Sequence, residues 1–269
     1  MMHRPLCTAV AQTPPLCTAV VKTLRPLSPS TRHVTLEVED ADARGFSFTA
    51  GQWVDVHIPG MHTIGGFTIT SIPAALPLVE LAVKASPHPP ARWITEEAVA
   101  GDAVQIRVGG SFGLPSPRPA SSVFIAGGVG ITPLYAMVQQ LFAADEVVAA
   151  GAAVPRAVLL YSAVSRDELL FASTLEALSR RFPERFRLEM LTTREASASH
   201  EAPQARAGRR EISEALGWLQ QQHARSGLGG DEEPAIAFVC GPKGMPEAMV
   251  DECGACGIQA ERVRFEKWW

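Results

Sequence analysis

The chain has 269 residues, long for one compact domain and comfortable for two. Hydrophobic residues make up 46% and charged residues 19%, so each half can bury its own core and a wholly disordered chain is excluded. A net charge of -4 and a pI near 6.0 supply no basic face, which sets nucleic acid aside as a partner.

The first 36 residues hold no Asp or Glu but carry Arg4, Lys22, Arg25 and Arg32, a composition like an organellar targeting segment. Their prolines argue against the amphipathic helix such a segment needs. Pro5 to Val10 and Pro15 to Val20 both read Pro-Leu-Cys-Thr-Ala-Val, too short a duplication to be a structural repeat. Residues 1–16 therefore read as a tail or targeting segment, and the fold begins within the second copy.

Short β-rich runs follow at 18–24, 33–38, 52–58, 66–71, 78–85 and 103–108, separated by turn residues. Six such runs predict a small antiparallel barrel over residues 17–118. One helical stretch, 91–99, interrupts it behind Pro89 and Pro90, which cannot continue a strand but can open a helix. A Gly- and Pro-rich linker leads to about Pro119.

From Ser122 on, strands alternate with helices. The strands are 123–126, 157–162, 187–191, 235–240 and 262–265, and the helices start at Pro133, Asp167, Glu211 and Met245. Such alternation predicts a doubly wound parallel sheet over 119–269. The uncharged run 119–144 is long enough for a membrane span, but Gly127, Gly128, Gly130 and Pro133 in its middle make it a buried strand, a turn and a helix. Five irregularly placed cysteines form no secreted disulfide framework and point to a reducing compartment inside the cell, mitochondrial or cytoplasmic.

Gly127-Gly128-Val129-Gly130-Ile131-Thr132-Pro133 links a buried strand to a helix, where glycines let backbone N–H groups approach a pyrophosphate. Thr132 adds a hydroxyl, and Pro133 suits a first helical turn. Cys240-Gly241-Pro242 closes a later strand with Met245 opening the next helix, at the carboxyl edge where open α/β sheets bind ligands. Cys253 and Cys256 have metal-motif spacing, but no second pair supplies the remaining ligands of a zinc or iron–sulfur site.

These two motifs, with Phe48-Thr49-Ala50-Gly51-Gln52-Trp53, together resemble the ferredoxin–NADP reductase family, closest to its branch named for an oxidoreductase NAD-binding domain. The likeness runs from about Thr18 to the end. It implies a flavin-binding barrel before a nucleotide-binding domain, FAD (or FMN) and NADH or NADPH as cofactors, and an electron-acceptor protein or small molecule as partner. The family's Arg-x-Tyr-Ser flavin signature maps onto Gly65-Gly66-Phe67-Thr68, followed by Ile69 and Ser71. Phe67 keeps the aromatic face and Thr68 a hydroxyl for flavin N5, but Gly65 lacks the guanidinium for the phosphates. The family's Gly-x-x-Ser turn reads His88-Pro89-Pro90-Ala91, leaving Arg92 or His88 as substitutes, and Val83 and Lys84 border the same site.

Coenzyme signals conflict. Glu168 near the adenosine ribose would repel a 2′-phosphate, Arg166 or Arg194 would attract it, and Ser162 lies beside them; the balance leans to NADH. The resemblance also assigns Glu266 to the reaction site and Trp268 or Trp269 to stacking on the flavin. The implied catalytic set is Thr68, Cys240 and Glu266. A non-catalytic or regulatory nucleotide-binding relative with a degraded flavin site is the alternative.

Overall fold

Six extended runs with alternating burial build the N-terminal half: β1 (Cys17–Ser28), β2 (Thr31–Val38), β3 (Trp53–His57), β4 (Gly65–Thr68), β5 (Leu78–Lys84) and β6 (Ala103–Gly109). In this computed structural model, residues 14–143, 154–194, 207–226 and 234–267 are described. The strands are antiparallel in the order β4-β3-β6-β1-β2-β5. A bridge between Ile69 and Leu81, with the Thr70 N–H donating to the Glu80 carbonyl at 2.8 Å, joins the two edges and closes the barrel. Inward-facing Val34, Leu36, Val56, Ile69, Leu81 and Ile106 fill it. Each such side chain contributes about 1.5–3 kcal/mol when fully buried.

β1 runs four residues past the stretch its sequence predicts. Cys17–Val20 pair with β6 and Val21 bonds Gly101 and Asp102 just before it, so Pro26, which has no N–H, lies beyond that pairing and is tolerated in the strand. The helix expected over 91–99 is instead a single turn, α2 (Pro89–Arg92), continued by a π-helical turn, Trp93–Glu97. A further short turn, α1 (Ala41–Arg44), follows β2.

The second half is a parallel sheet of β7 (Ser121–Gly127), β8 (Arg156–Ala163), β9 (Phe186–Thr192), β10 (Ile236–Cys240) and β11 (Val263–Glu266), in the order β11-β10-β7-β8-β9. β7, β8 and β10 are buried along their whole length, as strands covered on both faces must be. α3 (Ile131–Ala143) and α4 (Ala172–Arg181) cover one face, α5 (Arg209–Arg225) and α6 (Met245–Ala255) the other. In α5 the spacing of Ile212, Ala215 and Leu219 lays one apolar stripe on the sheet.

The helix expected from Asp167 begins at Ala172. A 3₁₀ turn occupies Arg166–Glu168, and the buried Tyr161 hydroxyl accepts the Leu170 N–H at 2.9 Å, holding the chain off the helical path. Among the described residues no helix is long and apolar enough to cross a membrane, and the run 119–144 resolves, as far as it is described, into β7, a turn and α3.

The two halves share a core. Ala50 and Phe112 belong to the apolar cluster beneath α3, and Leu27 and Leu114 pack against it. Phe112, in the predicted linker, meets Phe238 edge-on at 6.2 Å and 64°. Gly51 sits at φ +103, and a Cβ there would fall 2.5 Å from the Phe112 carbonyl oxygen and against Met137 of α3. Its neighbour Gln52 accepts the Thr49 N–H at 2.7 Å and donates to the Gly110 carbonyl at 2.7 Å. The Phe48–Trp53 motif thus seats the barrel on α3.

Candidate functional site

The chain winds from β7 outward to β8 and β9, then crosses back to β10 and β11. Where strand order reverses, the loops leaving the two neighbouring strands diverge and leave a crevice at their carboxyl ends. Here the loops are Gly127–Thr132 and Gly241–Gly244.

Glycine has two separate uses in this crevice. A Cβ on Gly127 would lie 2.6 Å from Met245 Sδ and 2.8 Å from Pro242 Cδ, and one on Gly130 would lie 2.5 Å from the Cys240 carbonyl carbon. The absent side chains let the two loops interlock. Gly241 likewise lies under Met245. Gly128 differs: it adopts φ +54 and has nothing within 4 Å of where a Cβ would be, so it presents bare backbone to open space. Val129 is exposed beside it, while Ile131, Thr132 and Pro133 are buried in the first turn of α3. The Thr132 hydroxyl donates to the Val129 carbonyl at 2.9 Å, so it first braces the turn.

Register places Ala126, Cys240 and Glu266 abreast at the ends of β7, β10 and β11, with Ser162 abreast of Gly127 on the other side. The Ser162 hydroxyl donates to the Ala126 carbonyl at 3.3 Å. Cys240 is fully buried on the α3 side of the sheet. Burial, and secondarily the Glu266 carboxylate, push its thiol up to about 12. It is therefore a neutral thiol at physiological pH, suited to packing against a ring and unsuited to thiolate chemistry.

On the barrel side, Thr68 and Ser71 are buried, and Ile69 lies wholly within the barrel core. The Ser71 hydroxyl accepts the Glu80 N–H at 3.1 Å. Gln139 of α3 donates to the Thr70 carbonyl at 2.9 Å, which ties this segment to the helix that starts at the glycine turn. The Thr70 hydroxyl is buried without a hydrogen-bond partner.

The diphosphate of FAD does not fit the residues that the resemblance offers for it. Phe67 lies back over Gly65, where a Cβ would fall 2.5 Å from Phe67 Cε2 and 2.6 Å from Pro90 Cβ. Position 65 is thus not a guanidinium place left empty; it is filled by a ring and a proline. In α2, Pro89 and Pro90 have no N–H, and the Arg92 N–H is already bonded to the His88 carbonyl at 3.0 Å. The Arg92 side chain pairs with Glu97 at 3.9 Å, Val83 is buried, and Lys84 is exposed at the end of β5.

Glu168 has a partner that its sequence context does not reveal. Its Oε2 accepts hydroxyl bonds from Ser28, at 3.0 Å, and Ser30, at 2.7 Å, both in the β1–β2 turn of the barrel. Arg194 is exposed, its N–H donating to the Val164 carbonyl. A contact within the barrel also escapes sequence reading: His33 on β2 faces Glu80 on the neighbouring β5 at 3.6 Å. His33, then Arg25, hold the Glu80 carboxyl below its ordinary range against the opposing effect of burial. Trp268 and Trp269 lie outside the described residues, as do residues 1–13. Cys253 is buried in α6, and the Cys256 thiol meets the Arg209 carbonyl at 3.4 Å.

Residues 124–251 match the family model described as the oxidoreductase NAD-binding domain. Oxidoreductase NAD-binding domain-containing protein 1 of Danio rerio is 37% identical over 253 residues, covering 90% of this chain and 88% of the relative. Ferredoxin–NADP reductase B of Sorangium cellulosum is 29% identical over 252 residues, covering 91% and 94%. Among solved structures, the ferredoxin–NADP⁺ reductase of Plasmodium falciparum superposes with a TM-score of 0.72 at 15% identity over 94% of this chain and 96% of that one, a likeness of fold. With its barrel, its doubly wound sheet and the crevice at the strand reversal, the chain belongs to the oxidoreductase NAD-binding domain-containing protein 1 family, within the ferredoxin–NADP reductase-like oxidoreductases.

Proposed function

We propose that this protein takes hydride from a reduced nicotinamide dinucleotide, NADH in preference to NADPH, with a flavin ring as first acceptor and an electron-acceptor protein or small molecule beyond it. The observation that carries the reading is the crevice between β7 and β10, where open Gly128 backbone precedes α3 and Cys240 stands abreast of Glu266.

A nicotinamide bound there supplies a hydride, and the protein's work is placement. The Gly128–Gly130 turn offers backbone N–H groups, and α3 behind it the positive end of a thirteen-residue helix, to a diphosphate. Gly128 lets that diphosphate approach the backbone. Cys240, held neutral, and Met245 would flank the nicotinamide, with Glu266 at its carboxamide side. Thr68 and Ser71 would border the flavin ring. No general base is needed, since hydride transfer leaves no proton to remove. The Glu168 carboxylate, bonded to Ser28 and Ser30, supports a preference against a 2′-phosphate near the end of β8. The odd number and irregular spacing of the cysteines support a reducing compartment, mitochondrial or cytoplasmic.

The test is anaerobic mixing of protein, flavin and NADH in stopped flow. Bleaching of the flavin faster than in protein-free controls is expected. Cys240→Ala should slow it while leaving NADH affinity nearly unchanged, because a group at the reacting centre acts on rate more than on ground-state binding. The filled space over Gly65 favours one other reading, a nucleotide-binding relative without flavin chemistry; NADH binding with no bleaching would establish it.

A further inference from the structure

We propose that the flavin taken by this protein is recognised through its ring and not through its phosphates, so that riboflavin, FMN and FAD bind with similar affinity. The inference rests on the flavin half of the function proposed above and adds the class of ligand.

A diphosphate carries two negative charges that leave water only where donors replace it, so a built cradle needs several N–H groups or a guanidinium. At the two positions where the resemblance expects phosphate donors, Gly65 and the Pro89–Pro90 turn, the chain supplies carbon. Gly65 offers no side chain, and the space above it holds the Phe67 ring and the Pro90 ring. Pro90 is buried against β4, so it is a packed wall. The turn that begins α2 has lost two N–H groups to Pro89 and Pro90, and the Thr95 hydroxyl, one turn on, donates to the Ala91 carbonyl at 2.9 Å. The guanidinium in reach along the same elements, Arg32, donates to the Ile94 carbonyl at 3.4 Å, and that of Arg92 faces Glu97.

The segment that would meet the ring differs in kind. Residues 68–71 are buried, tied to α3 through Gln139, and include the Thr70 hydroxyl, which has no hydrogen-bond partner. The 68–71 segment thus keeps a hydroxyl with unused bonding capacity, while Gly65 and the Pro89–Pro90 turn supply no donor. An FAD bound here would leave its diphosphate and adenosine in solvent, contributing little to affinity.

The test titrates the full-length protein with riboflavin, FMN and FAD, following flavin fluorescence, with an NADH titration run in parallel. Dissociation constants within about threefold of one another, and FAD affinity insensitive to added salt, are expected. FAD binding more than tenfold tighter than riboflavin, or FAD retained through purification, would overturn the inference while leaving the flavin-reducing function standing. Binding of NADH with no binding of any flavin would instead remove that function, and this inference with it. As a second measurement, Gly65→Arg combined with Phe67→Ala and Pro90→Gly should open the space on both sides and give FAD an advantage of tenfold or more over riboflavin. A folded triple variant that still treats the two alike would overturn the account of how the phosphates are excluded.

Discussion

Gly128 and Gly65 each stand in a segment that the family resemblance associates with a nucleotide phosphate, one in each domain, and they have opposite surroundings. Gly128 has a positive φ and open space beyond it; Gly65 is capped by Phe67 and Pro90. A glycine in a motif therefore has two meanings. It can leave room for a ligand, or it can leave room for the protein's own side chains. Gly127, Gly130 and Gly241 lie between these limits, since their missing side chains let two loops interlock and so shape the crevice without facing the ligand.

Substitutions that separate the two meanings give the largest effects. Gly130→Val would drive a side chain into the Cys240–Gly241 backbone, which cannot move aside as a flexible side chain can. A loss of about 3 kcal/mol in denaturant stability and of NADH binding is expected. Gly128→Ala meets no atoms and is strained only by φ +54, so it should cost about 1 kcal/mol while weakening NADH more than it weakens the fold. Equal losses in the two variants would erase the distinction between packing and ligand-facing glycines.

The domain seam offers the next test. Glu168→Gln keeps a carbonyl oxygen for Ser28 and Ser30 but removes the charge. The ratio of kcat/KM for NADPH over NADH should rise about tenfold, corresponding to ~1.4 kcal/mol. An unchanged ratio, with a lowered Tm, would confine Glu168 to holding the β1–β2 turn against the sheet.

The smallest expected effect concerns Glu80. Its carboxyl is held below the ordinary value of 4.5, first by His33, so the folded state binds the proton more weakly than the unfolded state. The resulting stability is present above pH 4.5 and is lost as pH falls through the lowered folded value. Thermal melts of wild type and Glu80→Gln should therefore converge on acidification. A constant difference between them down to pH 3 would remove the His33–Glu80 pair from the stability of the barrel.

Local pattern was enough for the order of elements. The alternating runs of the barrel and the β–turn–α periodicity of the second half were legible because inward and outward residues repeat every two or about 3.6 positions, whatever lies farther along the chain. It was enough, too, for the glycine turn after β7 and the Cys240 strand end, because their neighbours in sequence are their neighbours in space. The family likeness carried by these segments gave the crevice its ligand class.

What tertiary structure alone decided involves partners distant in sequence. Glu168 meets Ser28 and Ser30 across 138 or more positions, and no local pattern marks a carboxylate that will find two hydroxyls in another domain. Cys240 reads by position as a residue at the ligand-binding edge, but the burial that raises its thiol pKa depends on α3 and its packing. Gly65 reads as a deletion, a guanidinium missing from a motif. That the vacated volume is closed by Phe67 and Pro90 follows only once β4 and α2 are packed together, because a sequence records which side chain is absent and the fold determines what occupies its place.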